Sequence, residues 1–178
     1  PQRRTLSFAQ SIVCDRCKFE DNVVFSAPWA EPESVSVEFD VDVIFNRSDF
    51  RGQSRFRNAV FNGTAGFDGC QFDGVVTFKK ARFLGEAKFR TVVFNGYCLM
   101  GESYYEGSAR FTNTHFVRGA NFNGARFMGM TDFAGVYSSS RSIPNHEEVV
   151  FGRRKYGDDE SFWRFVKQSS QDAGNYQM

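Results

Sequence analysis

Large apolar residues return along this chain in alternating steps of six and five. Phe39, Phe45, Phe50, Phe56, Phe61, Phe67, Phe72, Phe78, Phe83, Phe89 and Phe94 keep the rhythm without a slip. Met100 and Tyr105 hold the next two slots, and Phe111, Phe116, Phe122, Phe127 and Phe133 resume it. Backwards it runs through Phe25, Phe19, Cys14 and Phe8, and forwards it stops at Ser138. Residues 26–35 interrupt the register, and the gap fits an insertion of about three residues. A mean period of about 5.5 matches neither a helix nor a plain strand, but it suits a chain that turns a corner after each short side. Four sides make a coil of about 22 residues, and coils stack at the ~4.8 Å spacing of neighbouring strands. The pattern therefore predicts an all-β, right-handed, four-sided parallel β-helix of roughly six coils, ~29 Å long.

A second column supports this. Two residues before each large residue stands a small or β-branched one, as at Val37, Val43, Ser48, Ala59, Ala65, Cys70, Val76, Ala81, Ala87, Val92, Cys98, Ala109 and Ala120. Residues two apart on an extended segment share a face, so each side points one large and one small residue inwards. The residue between them points out and is mostly polar, as at Arg55, Gln71, Arg82, Lys88, Arg110, Asn121 and Arg126. Asn62-Gly63, Asp68-Gly69, Asp73-Gly74, Asn95-Gly96 and Asn123-Gly124 follow large residues and read as corners, where Gly accepts positive φ and Asx side chains bond local backbone.

These residues resemble the pentapeptide-repeat proteins, whose unit is a small residue, a polar one, Leu or Phe, and two variable positions. The likeness covers Phe8 to about Ser138. Two departures stand out: every second side has six residues, and the residue before the large one is frequently Arg or Lys. The resemblance implies a rod whose surfaces do the work. It also implies helices beside the rod, and some members mimic duplex DNA to inhibit topoisomerases.

The rod is expected to fill residues 1–140, with a loop insertion near 26–35, and residues 141–178 to form a loop and a capping helix. Phe162, Phe165 and Val166 make an apolar stripe at helical spacing. Asp158 or Asp159 can cap its start and Gly174 its end, which places a short helix over about 159–172. It should cover the last coil, because an uncapped coil presents an open β edge. The natural chain is expected to continue beyond Met178.

Composition narrows the function. Lys and Arg total 22 against 21 Asp and Glu, a net charge of +1. That argues against a phosphate-coating nucleic-acid binder and equally against an acidic DNA mimic, which the outward arginines also oppose. No apolar run is long enough to span a bilayer. The four cysteines all fall on interior register positions. Cys14 and Cys17 form a CxxC, but no further ligands accompany it, so both are expected as buried structural thiols. Four unpaired thiols suit a reducing, cytoplasmic setting.

Candidate chemistry is sparse. His115 should point outwards beside Phe116, and His146 sits in a loop-like stretch; the pattern places no Ser or Cys partner on either. No carboxylate pair emerges from the stacked columns, so an outer-face β-helix enzyme is a minor alternative. No cofactor or metal is expected. Arg82, Lys88, Arg110 and Arg126 lie outward on adjacent sides, with Tyr104 between Arg82 and Arg126, forming a basic corner that could hold an acidic partner. Trp29 projects with the insertion and is a second candidate anchor. The expected function is a non-catalytic scaffold binding another protein, with self-association through the rod ends as a further option; a topoisomerase-inhibiting DNA mimic is the alternative.

Overall fold

The computed structural model describes residues 4–26, 35–139, 146–152 and 158–175. Its first coil comprises β1 (Arg4–Phe8), β2 (Ile12–Val13), β3 (Lys18–Phe19) and β4 (Val23–Val24). Each founds one side of the rod. The four parallel sheets hold seven, six, six and five strands, and each strand pairs with the one four before it, except the last, which pairs three back. Five coils show all four sides and a sixth shows three, followed by one more strand, Val150–Phe151.

Register is set by the aromatic columns. Side one stacks Phe8, Phe39, Phe61, Phe83, Tyr105, Phe127 and Phe151. Side three stacks Phe19, Phe50, Phe72, Phe94 and Phe116. Rings within a column lie nearly parallel: Phe56 and Phe78 are 4.9 Å apart at 6°, Phe83 and Tyr105 4.8 Å at 1°. Neighbouring columns meet edge to face, as Phe67 and Phe78 do at 5.4 Å and 74°. Both arrangements suit the ring quadrupole, and together they fill the interior. Every large slot from Phe39 to Phe133 is buried. Tyr105 is tolerated because Met100, on the adjacent column, is slimmer than Phe; the hydroxyl donates to its Sδ at 3.5 Å.

Three details differ from the expected pattern. The insertion amounts to nine residues, because the first coil pairs with partners 31 away where later coils pair 22 away. It enters at one corner, between Phe25 and Phe39, whose partners below and above continue the columns undisturbed. Ser138 does not end the rod: it pairs with Phe116 and its hydroxyl donates to the Phe116 carbonyl. The helix α1 runs Asp158–Asn175, longer at both ends than expected. Phe162, Phe165 and Val166 are buried on the last coil, Phe162 meeting Phe133 at 4.9 Å, and the Phe133 N–H donates to Ser161 Oγ.

The corners fall into two kinds. In each five-residue step the second residue after the large one has φ near +60°: Arg16, Arg47, Asn58, Gly69, Lys80, Thr91, Glu102, Asn113, Gly124 and Gly135. In the six-residue steps the equivalent residue is usually Gly, but φ is not the reason. A Cβ on Gly74 would lie 2.4 Å from the Gly52 carbonyl oxygen, and one on Gly85 2.3 Å from that of Gly63. Of the five corner glycines expected to need positive φ, only Gly69 and Gly124 do; Gly63, Gly74 and Gly96 are required by close approach of the coil beneath.

Candidate partner-binding face

Side one carries the outward residues Glu38, Val60, Arg82, Tyr104, Arg126 and Val150 on successive coils. Arg82, Tyr104 and Arg126 are direct neighbours in register, so a tyrosine stands between two arginines along the rod axis. The Arg82 Cζ stands 5.8 Å from the Tyr104 centroid, within cation–π range, worth ~0.5–1 kcal/mol at an exposed site. Arg82 and Arg126 are exposed, and neither takes an ion pair among the described residues.

The other half of the expected basic corner is partly neutralised. Lys88 and Arg110 are neighbours on side two, and Glu86 lies 3.2 Å from the Lys88 Nζ and 2.7 Å from the Arg110 Nε. The Arg110 Nε–H is not aligned for a hydrogen bond, so the contact is an ion pair only. One carboxylate between two stacked cations cancels one of their two charges and leaves a net +1 where the outward positions alone suggested +2. The next corner repeats the device, with Glu102 taking Lys79 at 3.0 Å and Lys80 at 3.6 Å, and these lysines hold its carboxyl below the usual range. Trp29 lies outside the described residues.

Two further groupings are exposed by the fold and not by the sequence pattern. His115 points outwards as expected, but it stacks on Tyr137 at 4.1 Å and its Nε2 lies 2.6 Å from Ser139 Oγ. The expectation of no Ser partner is therefore wrong: residues 22 and 24 apart become neighbours only when coils stack. Burial lowers the His115 pKa, which favours the neutral ring. No carboxylate is hydrogen-bonded to it among the described residues. A concavity of about 540 Å³ opens beside side four, lined by Lys79, Leu99, Glu102, Asn121, Glu147 and Glu148. Its lysine and one glutamate are already paired. Among the described residues no cluster of His, Cys, Asp or Glu could hold a metal ion, and no helix is long and apolar enough to cross a membrane.

The cysteines correct the expectation most sharply. Cys14 and Cys17 are bonded to each other across a five-residue corner, with Cα atoms 5.7 Å apart, and both are only half-buried. Two thiols are free, Cys70 and Cys98, and both are buried. Burial pushes Cys70 up to about 12 and raises Cys98 as well, which leaves them unreactive. The inference of a reducing compartment from four unpaired thiols therefore loses its premise.

The columns, the repeated corners and the single-residue outward ladders define a four-sided β-solenoid, a class whose surface, not its interior, is available to other molecules. A family model for pentapeptide repeats in nine copies matches residues 15–71 and 89–136. The chain belongs to the pentapeptide-repeat family. No curated protein and no solved structure matches it.

Proposed function

We propose that this rod is a non-catalytic scaffold that binds another protein, and that side one is its docking face. The carrying observation is the ladder Arg82–Tyr104–Arg126, which offers two arginines on either side of a tyrosine in fixed register, neither in an ion pair among the described residues. Arg and Tyr are enriched where partners anchor, and both lose little entropy when already held by a rigid sheet. Carboxylates spaced two rungs apart, ~9.6 Å, would meet both guanidiniums while an apolar or aromatic group rests on Tyr104. The aromatic interior supports a surface role, since among the described residues it is filled by buried side chains.

The test is differential capture. Wild-type rod and an R82E/R126E double variant of unchanged circular dichroism are immobilised and exposed to the same cell extract, followed by affinity measurement on the purified retained protein. The reading expects a protein that binds wild type at least about tenfold more tightly than the variant, with affinity falling as salt is raised. Identical retention by both rods would remove side one as the docking face.

A further inference from the structure

The bonded corner at Cys14–Cys17 takes no part in that docking face, and its surroundings suit a different chemistry. In every coil, the residues three apart at the two ends of this corner both face the interior: Phe45 with Ser48, Phe67 with Cys70, Phe89 with Val92, Phe111 with Thr114. Replacing both by cysteine brings two sulfurs together without any change of backbone path.

The corner holds that path by means other than the bridge. Cys14 N–H donates to the Ile44 carbonyl at 2.8 Å and Arg16 N–H to the Asn46 carbonyl at 3.0 Å. The buried Ser48 hydroxyl closes the corner from above, accepting from Cys17 N–H at 3.0 Å and donating to the Cys14 carbonyl at 2.9 Å. Arg47 clamps Asp15 with two hydrogen bonds, of 2.9 and 2.6 Å. Breaking the sulfur–sulfur bond therefore leaves two thiols pre-positioned, and pre-positioning favours their reclosure.

Access differs as sharply. β2 and β3, which flank the corner, are the terminal strands of their sheets, and both cysteines are half-buried. Cys70, at the same slot two coils on, is sealed.

We infer that Cys14–Cys17 is a thiol–disulfide exchange site whose reaction partner is a small thiol or its disulfide. A thiolate RS⁻ attacks one sulfur, forming a mixed disulfide and releasing the other cysteine as thiolate. A second RS⁻ attacks the sulfur of RS and leaves as RSSR, and two protons complete the protein dithiol. The protein gains two electrons and the two small thiols lose them; oxidation runs the same steps backwards.

Glutathione is the probe. Full chain is equilibrated across graded ratios of reduced to oxidised glutathione, quenched with acid, alkylated and mapped by mass spectrometry. Cys14 and Cys17 should pass together from bridged to alkylated, with a mixed glutathione disulfide on one of them at intermediate ratios. Cys70 and Cys98 should stay unlabelled until the chain is denatured. Ser48→Ala, of unchanged circular dichroism, should need an oxidising ratio higher by about threefold or more, since it removes both hydrogen bonds that close the corner and one alone carries about that weight. Cys14→Ser should leave Cys17 carrying glutathione. A bridge that resists excess dithiothreitol in the native protein would overturn the inference as a sealed structural bond. Two cysteines that are alkylated at every ratio and never bridge would overturn it as independent thiols.

Discussion

At the five-residue corners the chain reverses through a single left-handed residue, and Arg47, Asn58, Lys80, Thr91, Glu102 and Asn113 all accept that conformation. At the six-residue corners the chain has one residue more and needs no left-handed φ at Gly63, Gly74, Gly85, Gly96 or Gly107, yet those positions admit no side chain. The first constraint is local: it costs a side chain ~1–2 kcal/mol in any coil, and a polar residue tolerates it. The second is between coils: the Cα passes so close to the carbonyl of the coil beneath that only hydrogen fits. Left-handed corners can therefore vary in sequence and carry surface charge, while the others set how tightly the coils stack.

Substitutions at matched corners would sharpen or break that distinction. The largest effect is expected for Gly85→Ala, whose Cβ would stand 2.3 Å from the Gly63 carbonyl oxygen. Forcing the coils apart should cost about 3 kcal/mol, read as a lower denaturation midpoint with unchanged slope. Gly69→Ala should lose about 1 kcal/mol, because its Cβ meets only the Arg47 side chain at 3.2 Å and the strain is confined to φ. Equal losses at Gly85 and Gly69 would mean that one constraint governs both corners. The smallest effect has the opposite sign. Thr91 is β-branched at φ 54°, so Thr91→Gly should gain about 0.5 kcal/mol, the relief of strain outweighing the extra freedom of the unfolded glycine. A thermal melt of Thr91→Gly below that of wild type would show that the hydroxyl's contact with the Arg90 carbonyl outweighs the strain.

The aromatic columns were legible in the chain because their signal is periodic and depends on one residue at a time. Phe67, Phe89 and Phe111 could be assigned to one stack by counting. The capping helix was legible in kind from Phe162, Phe165 and Val166, but not in extent, since helix ends carry weaker signals than apolar faces. The candidate site was legible in half. Counting placed Arg82, Tyr104 and Arg126 on one line, but it could not show that Glu86, a corner residue, reaches Lys88 and Arg110. Nor could it find Ser139 on His115 or the bond within Cys14-Asp15-Arg16-Cys17.

By itself, then, the order of residues determined the coil, its period, its interior and its outward columns. Burying one large side chain per side is a requirement each residue meets alone, and a strict spacing records it. Only the tertiary structure decided which charges cancel, which glycines are irreplaceable and which sulfurs meet. Those outcomes depend on distances between atoms of different coils or across a corner, where a difference of an ångström separates an ion pair from a free charge, and a glycine from a clash.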